Sequence, residues 1–448
     1  MSSVTSNEPP ARPGLPRLAT ATSIGTAIEY YDFIAYAIAA GLVFNRVFFP
    51  ELDRLTGTLL SFVVFFTGFL ARPVGAVLTG HFGDRVGRKR MFIATVLTMG
   101  IATVLIGALP TYQQVGLLAP AVLLLLRVLQ GVAAGGEWGG AALVAVEHAP
   151  PARRGLYGSF SMVGISAGGL LATVAFALLS FLDEAAFLAW GWRLPFLASA
   201  LLIVVGFWVR WSLAEPEGFR AVRDGAAVVR LPIVELLRTA WRSVLLATGV
   251  SIGYNAFVYL VFTFGLAYAT GQLNLPRQLV LTATVVGLAV QIPSIVAAAA
   301  LSDRIPRVRI MIAGGLFMAV DAFVFLALLG TGNTVAVYVT IVLAYAGAAL
   351  VYGPLAAYFA ESFDLRVRYS GISLSYQLGA SLGGGLTPTV LTLLVLATGG
   401  ALAASAYVAA LALVAVGCLV GLDRLARRRA AGGDLTTADP VVAGDAAP

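Results

Sequence analysis

Long apolar runs separated by short polar breaks dominate the chain, and run length carries more information than any amphipathic period. A helix needs about 20 apolar residues to cross roughly 30 Å of hydrocarbon. Twelve runs meet that length, at 19–47, 57–82, 90–110, 115–147, 155–182 and 190–212, then 243–270, 278–301, 309–330, 334–361, 369–397 and 400–423. Runs apolar on all sides predict helices in lipid, where each backbone polar group must be satisfied within its own helix. The predicted fold class is an all-α integral membrane protein of twelve transmembrane helices. Polar stretches divide it into a tail (1–18), a first set of six helices (19–212), a linker (213–242), a second set (243–423) and a tail (424–448).

Composition agrees, with 59 % apolar and 11 % charged residues in 448, against about 25 % charged in soluble domains. The 29 Lys and Arg fix orientation. With both termini in the cytoplasm, only Arg46, Arg54, Arg193 and Arg277 lie outside, while Arg72 and Arg127 lie within the membrane and all the others face the cytoplasm. That asymmetry is the positive-inside pattern for an even number of helices with both ends inside; the expected location is a plasma (inner) membrane. The net charge of +7 therefore reports topology and lipid contact rather than nucleic acid. Cys418 stands alone, which excludes an intramolecular disulfide or a cysteine metal cluster. The span after the polar N-terminal tail is too long and too acidic for a cleaved signal and reads as a retained helix.

A repeat organises the spans. Gly83-Asp84-Arg85-Val86-Gly87-Arg88 follows the second run, and Ser302-Asp303-Arg304-Ile305-Pro306-Arg307 follows the eighth. Glu147 with Arg154-Gly155 after the fourth is echoed by Glu361 with Arg368 and Gly371 after the tenth. Two pseudo-symmetric six-helix bundles are implied, an architecture that holds a substrate near the midplane between halves that rock. In the linker, Leu231 to Leu237 is either a short amphipathic surface helix or a solvated loop.

The most specific local motif is Gly80-x-x-x-Asp84-Arg85-x-Gly87-Arg88-Lys89-Arg90. Its glycines permit a tight turn, and Asp84 can pair with an arginine or cap a helix. Here the chain resembles the major facilitator superfamily, in which this loop latches one access state; the resemblance implies a gating role for Gly80, Asp84, Arg85, Gly87, Arg88 and Lys89. Within that superfamily it is similar to the metabolite:proton symporters, the group of shikimate, 2-oxoglutarate, citrate and proline/betaine carriers. The likeness rests on Gly25-x-x-x-Glu29-Tyr30-Tyr31-Asp32-Phe33, Arg72-Pro73-x-Gly75, Arg127-x-x-Gln130-Gly131 and Gly135-Gly136-Glu137-Trp138-Gly139-Gly140-Ala141. It continues through Arg368-Tyr369-Ser370-Gly371, Tyr376-Gln377-Leu378-Gly379 and Gly383-Gly384-Gly385-Leu386-Thr387-Pro388. Tyr30 stands where the group usually has tryptophan. Pro306 replaces the glycine of the second loop motif, and since proline cannot take a positive φ, the C-terminal latch is expected to be degenerate.

Ionisable groups inside a membrane helix cost about 2.5–3.5 kcal/mol each on insertion scales and mark function. Glu29 lies about 15 Å above the cytoplasmic start of its helix and Arg72 about 18 Å above Asp84, so they sit near one level. Helices one, two and four can then present an acid and two guanidinium groups to one cavity, although buried acid–arginine pairs also serve simply to fix helix register. Four acids (Glu29, Asp32, Glu137, Asp321) face two arginines in the membrane, so a carboxyl without a permanent cation is expected to exchange protons. Glu29 and Asp32, three apart, are the proton-coupling pair, with Glu137 either pairing with an arginine or competing for that role. Arg72 and Arg127 suit a substrate carboxylate, and Gln130, Tyr30, Asn255, Tyr376 and Gln377 complete the candidate cavity wall. His81 and His148 fall at cytoplasmic helix ends and read as interfacial residues.

The expected activity is proton-coupled symport of a small polar metabolite, with lipid as the other partner. Organic acids of the shikimate or dicarboxylate type lead by resemblance, and a proline or betaine osmolyte is second. The osmolyte carriers have a long helical C-terminal extension, which the short tail here does not match. No nucleotide motif supports ATP, no cofactor or metal cluster is indicated, and the sequence offers little for an intramembrane enzyme. A passive channel is the remaining alternative.

Overall fold

The apolar runs form helices throughout. The computed structural model describes residues 15–86, 88–135, 143, 145–147, 149–212, 232–364 and 367–431. Among these, twelve long helices follow one another: α1 (Leu15–Leu42), α2 (Arg54–Val86), α3 (Arg88–Ala108), α4 (Leu118–Ala134), α5 (Arg154–Leu179) and α6 (Leu194–Ser212), then α7 (Trp241–Gly271), α8 (Arg277–Ser302), α9 (Arg307–Gly330), α10 (Thr334–Ser362), α11 (Arg368–Thr398) and α12 (Leu402–Ala431). Glu137 and Gly87 lie outside the described residues, as do the side chains of Glu29, Asp84, Arg85, Arg88 and Lys89. The same holds for both tails to 14 and from 432, and for linker residues 213–231.

Polar residues set the helix starts. Asp53 accepts from the amides of Leu55 and Thr56 ahead of α2, and Asn333 from Val335 and Ala336 ahead of α10, satisfying donors that a helix N-terminus leaves free. Pro73, Pro293 and Pro354 sit inside α2, α8 and α10, as membrane helices tolerate. Two helices change pitch: α7 contains a π-helical turn at Leu260–Phe264 and α11 another at Ala380–Gly385. In the linker the amphipathic alternative holds, as a helix at Pro232–Thr239 with Leu236 buried and Leu237 exposed.

Helix neighbours recur with an offset of six. α1 packs on α5 as α7 does on α11; α2 packs on α4 as α8 does on α10; α3 packs on α6 as α9 does on α12. Between the halves, α2 meets α11, α5 meets α8 and α10, and α1 meets α7. Leu70, Val74, Ile101, Leu125, Leu201 and Val320 point outward and exposed, the surface a lipid solvent requires. Glycine sets the closest approach. A Cβ on Gly131 of α4 would collide with the Gly68 carbonyl of α2, so these backbones touch only because neither position carries a side chain.

The second loop motif departs from expectation. Pro306 takes φ −49° as the residue leading into α9, where the chain needs no positive φ, so proline serves as well as glycine. The latch predicted to be degenerate is assembled. Asp303 accepts hydrogen bonds from the amides of Gly155 (2.7 Å) and Leu156 (3.0 Å) at the start of α5, and Arg307 bridges Asp303 (3.1 Å) and Glu361 (2.9 Å).

Candidate functional site

Phe33 of α1 lies beneath two guanidinium groups. Arg72 of α2 sits 4.2 Å from its ring centroid and Arg127 of α4 sits 3.9 Å away. The aromatic lining extends to Phe69 against Arg72 (4.8 Å), and to Tyr36 (4.1 Å) and Phe65 (4.7 Å) against Arg127. A desolvated cation over an aromatic face gains about 2 kcal/mol or more, which offsets part of the cost of burial. The Arg127 side chain fits because residue 68 is glycine; a Cβ there would lie 2.6 Å from its Nε.

The two arginines differ in surroundings. Arg127 is fully buried, donating to the Phe65 carbonyl (3.4 Å) and to Gln130 Oε1 (3.1 Å). Gln130 donates onward to the Thr103 hydroxyl of α3 at 2.7 Å, and that hydroxyl donates to the Met99 carbonyl at 2.9 Å. Asp32 is buried and accepts from Ser199 of α6 at 2.5 Å. A polar run Thr103–Gln130–Arg127 therefore joins α3 to α4 within the N-terminal half, and Asp32 ties α1 to α6. Among the described side chains, no carboxylate forms an ion pair with either arginine.

Arg72 faces the seam. Its Nη1 donates to Gln377 Oε1 of α11 at 3.3 Å, both residues being buried, and its Nε has no hydrogen-bond partner. Beside it Tyr376 neighbours Tyr30 of the opposite half and Tyr352 of α10, and Tyr352 stacks on Tyr254 at 4.5 Å and 13°. Tyr259 of α7 packs on Phe65 and Phe69. The Ser381 hydroxyl lies 2.8 Å from the Gln377 carbonyl and 3.3 Å from the Phe69 carbonyl.

Of the residues predicted from sequence, Arg72, Arg127, Gln130, Tyr30, Tyr376 and Gln377 come together around this seam. Asn255 is buried on α7 but turns to its own helix, donating to the Ser251 carbonyl at 2.8 Å. Asp321 lies buried on α9, with Oδ2 unpartnered. Thr103 and Ser199 were not foreseen, since a hydroxyl in an apolar run gives no signal of the neighbour it meets. Phe33 stood inside a quoted motif without a role. Its position one residue after Asp32 was the available clue.

Further contacts join the halves at the end of the bundle opposite Asp303. Arg54 of α2 donates to the Thr270 carbonyl of α7 at 2.7 Å, and Arg277 of α8 donates to the Leu182 carbonyl beyond α5 at 2.5 Å.

The family model described as Major Facilitator Superfamily matches residues 22–388. The chain belongs to the major facilitator superfamily. It is 41 % identical over 383 residues to the inner membrane metabolite transport protein YhjE of Escherichia coli strain K12, covering 84 % of this chain and 86 % of that protein. It is 40 % identical over 383 residues to the shikimate transporter of the same organism, covering 85 % and 87 %. A solved structure of the E. coli xylose transporter XylE superposes with a TM-score of 0.68 at 17 % identity, covering 91 % of this chain and 96 % of that one, a likeness of fold alone. As a member of this superfamily the chain is a multi-pass membrane transporter and not an enzyme. Arg72 thus lies at the junction between the halves of a transporter, and Arg127 and the acid Asp32 lie inside one half.

Proposed function

We propose that this transporter carries a small carboxylate-bearing metabolite inward together with a proton by alternating access, in a plasma (inner) membrane with both termini cytoplasmic. The carrying observation is Arg72, a buried guanidinium at the seam with a neutral amide on one nitrogen and an unpartnered Nε. Such a cation is suited to a substrate carboxylate, which supplies charge and two acceptor oxygens. The 40 % identity to a shikimate transporter favours a hydroxylated organic acid, and the tyrosine hydroxyls beside Arg72 offer partners for its hydroxyl groups.

The proton is assigned to Asp32, with Glu29 and Glu137 as further acids of the same function. Asp32 is buried with the Ser199 hydroxyl as its donor, and the next residue, Phe33, carries the ring that Arg72 and Arg127 share. A change of charge at Asp32 thus falls on the same turn of α1 that carries the aromatic partner of both arginines. Arg127, Gln130, Tyr30 and Tyr376 complete the substrate surroundings, and the loop of Gly80 to Lys89 gates the cytoplasmic side. A monocarboxylate carried with one proton moves no net charge, so the pH gradient, worth about 1.4 kcal/mol per unit, drives its accumulation.

Uptake of shikimate, 2-oxoglutarate, citrate, proline and glycine betaine into proteoliposomes, with and without an imposed pH gradient, tests this. Gradient-stimulated, saturable uptake of an organic acid is expected. Uptake indifferent to the gradient for every solute would remove the coupling, and preference for betaine would move the substrate class to osmolytes.

A further inference from the structure

Gln377 holds an unusual position for a residue lining a carboxylate site. Its side-chain oxygen is directed at the same guanidinium that the proposed substrate must reach, 3.3 Å from Arg72 Nη1. An amide oxygen and a carboxylate oxygen are both sp² acceptors, and they differ in that the carboxylate adds a charge and a second oxygen. A carboxylate can take two parallel N–H bonds from a guanidinium, which one amide oxygen cannot. Gln377 therefore satisfies Arg72 without holding it against an anion.

The neighbourhood couples this contact to the meeting of the halves. Arg72 belongs to the N-terminal half and Gln377 to the C-terminal half, 305 positions apart. One turn beyond Gln377, Ser381 lies against the Phe69 carbonyl of α2, and from Ala380 to Gly385 α11 runs as a π-helical turn. Such turns break the regular ladder and recur at functional sites. The segment Gln377–Ser381 is thus seated on the segment Phe69–Arg72, at a point where α11 departs from α-helical pitch.

Building on the carboxylate reading of Arg72, we propose that Gln377 is an internal substitute for the substrate: its amide oxygen occupies Arg72 in the empty carrier, and the substrate carboxylate displaces it. The exchange makes Gln377 a specificity-determining residue. A ligand lacking a carboxylate has no means of releasing it, whereas a carboxylate does so and frees α11 from α2. Gln377 sets affinity by competition, opposite in sign to a residue that binds substrate.

Equilibrium binding to the full-length protein in lipid nanodiscs tests this, using shikimate, proline and glycine betaine as probes, all of which carry a carboxylate. Gln377→Met keeps the volume and removes the strong acceptor; it is expected to tighten binding of whichever probe the wild type binds, by about ten-fold. Gln377→Glu supplies a permanent anion to Arg72 and is expected to weaken the same binding at least as much. If the wild type binds a probe and Gln377→Met leaves its Kd unchanged or raises it, Gln377 is a ligand or a spectator and the inference falls while the carboxylate reading stands. If no probe binds the wild type, both fall together. Should Gln377→Met fail to fold, Gln377→Glu decides: unchanged affinity overturns the competition, and loss of affinity that is absent for Gln377→Asn supports it.

Discussion

Asp303 accepts hydrogen bonds from the amides of Gly155 at 2.7 Å and Leu156 at 3.0 Å, so an acid of the C-terminal half caps a helix of the N-terminal half. A carboxylate at a helix N-terminus gains from both the free amides and the helix dipole. Gly155 is required for the approach, since a Cβ there would lie 2.6 Å from the Ala299 carbonyl and 2.7 Å from Asp303 itself.

Removing that cap should open the end of the bundle at which it lies, cytoplasmic in the proposed topology. Loss of an N-cap acceptor costs about 0.5–2 kcal/mol, a shift of about 2- to 30-fold between the closed and open populations. Spin labels on the cytoplasmic ends of α5 and α8 should therefore show a longer distance in Asp303→Ala, and Gly155→Ala should act in the same direction. An unchanged distance distribution in both variants would mean the cap restrains nothing.

Asp32→Asn should uncouple transport. The amide keeps a hydrogen bond with Ser199 but cannot gain or lose a proton, so accumulation driven by a pH gradient should disappear while exchange of labelled substrate across the membrane continues. Ser199→Ala removes one donor to Asp32 and should shift the pH dependence of uptake without abolishing it. Accumulation that survives in Asp32→Asn would transfer the proton to Glu29 or Glu137.

Lysine at the two arginines should separate their roles. Arg72→Lys loses the planar fork at the seam and should lower substrate affinity by about ten-fold or more with a smaller effect on stability. Arg127→Lys loses the bonds to Phe65 and Gln130 together with the contacts to Phe33 and Tyr36. That change should lower the Tm of the detergent-purified protein more than Arg72→Lys does. The reverse order in both measurements would exchange the assignments.

Gly131→Ala should damage the packing of α2 on α4. The added methyl meets the Gly68 carbonyl, a main-chain atom that moves only with its helix, and overpacking of this kind costs about 1–3 kcal/mol. A reduced Tm and reduced yield are expected, whereas Gly417→Ala, with nothing within 4 Å of its Cβ position, should behave as wild type.

The arginines were legible because an ionisable residue in an apolar run stands out against the cost of placing it there. Gln377 and Tyr376 were legible only through resemblance, and their direction was not. Gln377 reaches Arg72 across 305 positions, a proximity no local pattern encodes. Asn255 shows the converse: its place in an apolar run invited a site role, yet its amide turns to the carbonyl four residues back. The Pro306 expectation failed because it assumed that the loop needs a left-handed residue, while a helix start at φ −49° suits proline well.

Sequence by itself determined that this chain lives in lipid as twelve helices in two related sets of six, because hydrophobic length and charge asymmetry are summed along the chain and need no partner. Tertiary structure alone decided that Gln130 ties Arg127 to Thr103, that Asp32 meets Ser199, and that Gln377 faces Arg72. Those contacts join helices from distant parts of the chain, and only the packing of helix against helix sets which polar groups share a buried space.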